Sequence, residues 1–230
     1  MEKQVIIIFG PPGAGKGTQA ELLSEKLGIY HLESSKVIER CFNNEDPEKI
    51  FSINGKNYKV ADEIENWKNG SLTSPPFITS LMMKEIEKLF DQEESLILSG
   101  NPRTVYEAEK EMPVLDKLYG KENIRIILLE ISAETTIFRN SNRKICELMR
   151  HSILFNKETE GLTICPLDGS KLVRREGLDD PESIKVRLKE YAERTLPMVE
   201  YFQKNNFKIH KINGEQNVAD VHKDVLKAIG

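Results

Sequence analysis

The segment that most constrains this chain is a run of five apolar residues, Val5-Ile-Ile-Ile-Phe9, followed at once by Gly10-Pro-Pro-Gly-Ala-Gly-Lys16-Gly17-Thr18. An unbroken apolar run suits a strand covered on both faces, and so predicts a parallel sheet. The glycines after it let the backbone wrap closely enough for its N–H groups to surround phosphate oxygens. Lys16 adds a point charge, and the helix expected from Lys16 turns its positive end toward the same anion. The general phosphate-loop pattern has Ser or Thr directly after the Lys. Here that position is Gly17, so Thr18 is the nearest hydroxyl for a Mg²⁺ ion carried by a nucleotide.

The rest of the chain repeats the alternation of short apolar runs and longer helical patterns. Val5–Phe9, Ser95–Leu98, Ile124–Ile131 and Phe207–Ile212 read as strands, while Lys16–Leu27, Pro76–Leu89, Pro181–Lys204 and Val218–Ile229 read as helices. The expected fold is therefore α/β, a P-loop three-layer arrangement of helices around a central parallel sheet. With 230 residues, the chain fits one such domain, 1–230. Two polar stretches interrupt the rhythm, 34–74 and 146–179. Both are expected to be insertions at the ligand-binding edge of the sheet.

Bulk composition excludes several classes. A net charge of -4 argues against a sequence-independent grip on nucleic acid, which needs a basic face. No run approaches eighteen apolar residues, so no membrane partner is expected. Met1 leads almost directly into the first strand without the apolar region of a signal peptide, and three cysteines do not suggest a disulfide scaffold. The expectation is a cytoplasmic protein.

The loop from Gly10 to Gln19, Gly-x-Pro-Gly-x-Gly-Lys-Gly-Thr-Gln in pattern, resembles that of the adenylate kinase family, a group of nucleoside monophosphate kinases. The resemblance continues along the chain. Gly70-Ser-Leu72 with Pro76 resembles the segment that closes the family's monophosphate subdomain. Gly100-Asn-Pro102-Arg103-Thr104 resembles its Gly-Phe-Pro-Arg-Thr. Arg139 and Arg143 match its Arg-x-x-x-Arg pair, and on a helix that spacing gives them one face. Arg175, Asp179 and Arg187 match the return of its lid and the helix behind it. Ile212-Asn-Gly214 with Val218 resembles the segment that passes the adenine.

The resemblance implies transfer of the ATP γ-phosphoryl to a nucleoside monophosphate, AMP first among them, by a monomer that uses Mg²⁺ with ATP. It assigns ATP binding to Gly13, Ala14, Gly15, Lys16, Gly17, Thr18, Arg139 and Gln216, with Arg139 stacked on the base. The acceptor falls to Ser34, Arg40, Leu72, Gly100, Arg103 and Glu107. Catalysis falls to Lys16, Arg103, Arg143, Arg175 and Arg187, which hold the donor phosphates, the acceptor phosphate and the group in flight. Taken alone, Arg187 on an amphipathic helix could equally face solvent.

Several positions depart from the family. The Asp that usually precedes Gly-Phe-Pro-Arg, tied to Mg²⁺ through water, is Ser99, so a carboxylate of the outer shell is missing and the metal is expected to depend mostly on the nucleotide. The start of the acceptor subdomain reads Glu33-Ser34-Ser35-Lys36-Val-Ile-Glu39-Arg40, with Glu39 where the family has an acceptor-binding Arg. Either the helix is re-registered, or Arg40 or Lys36 substitutes, or acceptor binding differs. Glu107 stands where a Gln usually reads the edge of adenine. These departures leave two other readings open: a nucleotide-binding protein with little transfer activity, or a P-loop kinase for another small molecule.

The lid of some family members carries two Cys pairs, or three Cys and an Asp, around structural zinc. Cys165-Pro-Leu-Asp168 resembles the second half of that set, but Met149 falls on the second cysteine of the first half. Cys146, His151, Cys165 and Asp168 still form an acceptable zinc set. The broken spacing favours the other outcome, a metal-free lid held by packing and hydrogen bonds.

Overall fold

The computed structural model describes residues 3–69, 71–175 and 177–230. Strand β1 (Val5–Phe9) is buried along its whole length. It leads through the glycine loop into α1 (Lys16–Leu27), then β2 (Tyr30–Glu33) and α2 (Ser34–Asn44). A hairpin of β3 (Ile50–Ile53) and β4 (Lys56–Lys59) precedes α3 (Val60–Lys68), α4 (Pro75–Asp91), β5 (Leu96–Ser99) and α5 (Val105–Tyr119). Next come β6 (Ile124–Glu130), α6 (Ala133–Ser141), and three short strands, β7 (Lys144–Cys146), β8 (Ser152–Ile153) and β9 (Leu172–Val173). The chain closes with α7 (Pro181–Glu190), α8 (Met198–Lys204), β10 (Ile209–Asn213) and α9 (Val218–Ile229).

Five strands form one parallel sheet in the order β10-β6-β1-β5-β2. From β1 the chain crosses to β2 on one side, and after β5 it crosses to β6 on the other. The strand order thus reverses at β1, and a ligand crevice is expected beyond the carboxyl ends of the strands there. Both faces are covered. Ile6, Ile8, Ile97, Ile127 and Leu129 pack with Ala20 and Leu23 of α1 and Val221 and Val225 of α9. Val5, Ile7, Phe9 and Leu98 pack on the opposite side with Met82, Leu115 and Phe202. Each such buried aliphatic or aromatic side chain contributes about 1.5–3 kcal/mol relative to exposure.

The four strands and three of the four helices read from sequence form with ends shifted by at most two residues. One helix is interrupted: between α7 and α8 the backbone makes a π turn over Tyr191–Thr195, where the Leu196 N–H reaches the Tyr191 carbonyl at 2.8 Å. Pro197 has no N–H to continue an ordinary ladder, which accounts for the break. The edge strand β2 and helices α5 and α6 were not singled out in the sequence. The polar stretch 34–74 folds as α2, the hairpin and α3, with Asn54 and Gly55 both at positive φ (51° and 75°) in its two-residue turn. Within 146–179 and its leading residues, β8-β7-β9 make a small antiparallel sheet.

Candidate active site

The glycine loop is held in place by contacts that only glycine permits. Gly10 has φ 147°, and a Cβ there would lie 2.3 Å from the Leu129 carbonyl oxygen of the neighbouring strand. Gly13 has φ 82°, and its Cβ would meet Asn140 Nδ2 at 2.7 Å. The loop is thus pressed against β6 and α6, and Gly15, also left-handed, caps α1. Lys16 Nζ lies inside the loop and donates to the carbonyls of Gly10 (2.8 Å) and Pro11 (2.9 Å).

A cleft of about 920 Å³ opens above this loop, and Gly13 to Thr18 line it. Four arginines enter it from separate segments: Arg103 after β5, Arg143 after α6, Arg175 before α7 and Arg187 on α7. Asp179 is the carboxylate that Arg143, Arg175 and Arg187 share. It accepts both Nε (2.9 Å) and Nη2 (2.6 Å) of Arg175, and it lies 3.8 Å from Arg143 and 3.6 Å from Arg187. Lysines and arginines outnumber the carboxylates of Glu21, Glu33, Glu39 and Glu190 along the lining, which leaves the cleft short of negative charge. Burial lowers the Lys16 ammonium well below its usual range, and Arg103, Arg187, Arg143 and Arg175 add to the effect. Burial, then the neighbouring Arg175, brings Arg143 down to about 10. The same causes, with Arg143 and Arg103 adding, bring Arg187 down to about 9. Such a site gains by taking in an anion.

Arg139 and Arg143 do not share a helical face. Helix α6 ends at Ser141, the backbone turns at Asn142, and Arg143 lies in the link to β7. Arg139 stays on the helix, lines the cleft and reaches the Gly13 carbonyl at 3.3 Å. Gln216 lines the same end of the cleft, tied to the Asn213 carbonyl and Asp224.

Beside the cleft is a cavity of about 20 Å³ lined by Ser34, Trp67, Leu72, Gly100, Arg103 and Glu107 among others. Ser34 Oγ donates to the Gly100 carbonyl at 2.7 Å. Glu107 Oε2 accepts the Arg103 backbone N–H (2.8 Å) and Asn101 Nδ2 (3.0 Å), while Oε1 accepts the Thr104 hydroxyl (2.8 Å). Asn101 also donates to Glu111 (3.0 Å), which is fully buried. Burial, with Glu107 beside it, raises the Glu111 carboxyl well above its ordinary range. Asn101 and Glu111 were not expected from sequence. The available signal was Glu111 itself, an acid beside the apolar Ala108, Met112 and Leu115 of α5. Gly70 lies outside the described residues.

At the start of α2 the helix begins at Ser34 and leaves Glu39 lining the cleft. Arg40 is not among the residues lining either space. It pairs with Glu85 of α4 at 3.1 Å. Lys36 does line the cleft, 3.4 Å from Glu33. Ser99 is engaged by His31, Nε2 to Oγ at 2.7 Å. Burial pushes the Glu33 carboxyl up, but the Ser35 hydroxyl, Lys36 and His31 outweigh it and hold the group below its usual range. Mg²⁺ takes oxygen ligands, keeps several waters and binds through one or two carboxylates and phosphates. Thr18 and the ionised Glu33, both in the cleft, meet that requirement.

A model of the family described as adenylate kinase matches residues 8–207. This chain belongs to the adenylate kinase family. It is 33% identical over 228 residues to an adenylate kinase of Petrotoga mobilis, covering 97% of this chain and 96% of that one. An adenylate kinase of Thermosipho melanesiensis is 34% identical over 227 residues, with 97% and 98% covered. One from Caldicellulosiruptor saccharolyticus is 31% identical over 228 residues, with 98% of each chain covered. This chain's central parallel sheet flanked by helices is consistent with the adenylate kinase fold. Among the described residues no helix is long and apolar enough to cross a membrane.

The stretch 146–179 brings together the four residues named from sequence. The ligand atoms of Cys146, His151, Cys165 and Asp168 all lie within 4.8 Å of one another. Cys146 Sγ is 2.7 Å from Asp168 Oδ2, and Cys165 Sγ is 3.3 Å from His151 Nε2. The Met149 N–H donates to Cys146 Sγ (3.1 Å), while the Met149 side chain is exposed. Two thiols, an imidazole and a carboxylate in one cluster, with a backbone N–H aimed at sulfur, fit a tetrahedral zinc ion.

Proposed function

We propose that this chain transfers the γ-phosphoryl of ATP to a nucleoside monophosphate, with AMP as the principal acceptor and two ADP as the products. The observation that carries this reading is the convergence of Lys16, Arg103, Arg143, Arg175 and Arg187 on one cleft above the glycine loop. Phosphoryl transfer spreads negative charge over three oxygens, and positioning plus preorganised positive charge supplies most of the catalysis. A phosphate entering the loop replaces the Gly10 and Pro11 carbonyls as the partner of Lys16. Arg175 is held in the cleft by two bonds to Asp179, which leaves Arg143 and Arg187 longer contacts to exchange for phosphate. Arg139, planar and beside the loop, stacks on the donor base, with Gln216 nearby.

On the acceptor side, Arg103 takes the phosphate, and Ser34, Leu72, Gly100 and Glu107 bound the base. That cavity, about 20 Å³, holds little more than a water, so the stretch 34–74 opens to admit a nucleotide. We take 34–74 as an acceptor subdomain and 146–179 as a lid; their closure excludes water that would otherwise hydrolyse ATP. Magnesium, held beside Thr18 when bound with ATP, neutralises charge on the phosphates. In the lid, Cys146, His151, Cys165 and Asp168 hold zinc as a structural clamp. We take the protein to act as a monomer in the cytoplasm, in keeping with small water-soluble nucleotides as its substrates. Family membership speaks against the readings as a binding protein without transfer or a kinase for an unrelated acceptor.

A coupled assay with ATP and Mg²⁺ tests the proposal against AMP, CMP, UMP and GMP. AMP is expected to turn over fastest. No turnover with any of them, despite measurable ATP binding, refutes it.

A further inference from the structure

Glu33 on β2 and Ser99 on β5 are paired Cα to Cα in the parallel sheet. Paired residues of neighbouring strands project to the same face, as do residues two apart on one strand. His31, Glu33 and Ser99 therefore share a face, in keeping with the His31–Ser99 hydrogen bond. It is the face of Ile97, which packs with Ala20 and Leu23 of α1. The Glu33 carboxylate thus stands on the α1 side of the sheet, in the same cleft as Thr18 and Lys16.

Two local roles do not account for it. Glu33 occupies the N-cap of α2, yet its side chain makes no cap hydrogen bond. Its hydrogen bond and ion pair go to Ser35 Oγ and Lys36 Nζ, the latter on a side chain 65% exposed and so weakly held. A carboxylate offers about four lone-pair sites, and these contacts occupy two. Ser99, engaged by His31, carries no charge to set against a cation.

We propose that Glu33 is the carboxylate that accepts hydrogen bonds from water on the nucleotide-bound Mg²⁺, supplying from β2 the charge that Ser99 on β5 lacks. The role rests on the phosphotransfer reading above and revises the expectation that the metal depends mostly on the nucleotide. Glu33 positions the metal through its water.

The test uses Mn²⁺ as the probe and measures ATP affinity of the full chain with and without it, in the absence of acceptor. The ratio of the two affinities is the metal coupling. Glu33→Gln is expected to lower that ratio about tenfold or more, the scale for losing an outer-shell partner of a metal, while metal-free ATP binding stays within about twofold. Adding Ser99→Asp to that variant is expected to restore most of the ratio. A Glu33→Gln ratio equal to that of the native chain overturns the proposal. Ser99→Asp in the otherwise native chain gives an independent reading: a small gain, below about threefold, is expected where the shell already has its carboxylate, and a gain of about tenfold overturns the proposal. AMP turnover by the native chain is recorded in the same preparation. Its absence counts against the phosphotransfer reading, whereas the metal coupling alone decides the role of Glu33.

Discussion

Glu39 on α2 and Arg150, in the link between β7 and β8, meet at 3.4 Å, closing an ion pair between two segments that line the cleft. Both side chains are partly exposed, 35% and 58%, so the pair contributes about 0–1 kcal/mol. Where lid opening limits turnover, Arg150→Ala is expected to raise kcat by no more than about fivefold. The gain should vanish in high salt, and the exchange Glu39→Arg with Arg150→Glu should restore the native rate. Steady-state kinetics over a salt series checks this.

Lys16 is the group with the most cations around it and the fewest alternatives. Lys16→Met is expected to lower kcat by about two orders of magnitude or more, the scale for losing a preorganised electrostatic contact. Thermal stability should not fall, because a buried charge amid four arginines is removed. Near-native turnover in this variant would mean that the loop is not the catalytic one.

Glu111 gives a pH signature. Its folded-state carboxyl titrates well above the ordinary value, so between those two points the unfolded chain has released a proton that the folded chain keeps. Stability then falls as pH rises through that window, by at most about 1.4 kcal/mol per pH unit. Glu111→Gln keeps the shape and the bond from Asn101 but cannot titrate. Its melting temperature relative to the native chain should therefore climb from pH 5 to pH 8. A constant difference across that range contradicts the buried, protonated state.

Metal analysis of chelator-free protein is expected to give about one zinc per chain. Cys165→Ser should lose the metal and lower the melting temperature, with a smaller effect on ATP affinity because the arginines of the cleft do not belong to the cluster. Substoichiometric zinc in the native chain retires this assignment and leaves the metal-free lid.

The central sheet was legible because β1, β5 and most of β6 are nearly unbroken apolar runs, a pattern that few other structures accommodate. The glycine loop was equally legible, since φ values near 82° and 147° and sub-3 Å approaches demand glycine at Gly13 and Gly10. β2 escaped notice because an edge strand has one partner and need not be apolar; Tyr30 and Glu33 are partly exposed. The single helix read over Pro181–Lys204 breaks at Pro197, a residue whose effect on the ladder is local and could have been weighed from sequence.

Sequence by itself determined the fold class, the phosphate loop and the inventory of cations, because each depends on residue type at short spacing. Tertiary structure alone decided which of them meet. Arg143 left the helix of Arg139, Arg40 turned to Glu85, Glu33 came to stand opposite Ser99, and two pairs of residues, Cys146 with His151 and Cys165 with Asp168, gathered their sulfur, nitrogen and oxygen atoms in one cluster. Register between strands and the crossing of loops are set by packing of the whole sheet. No local pattern encodes them.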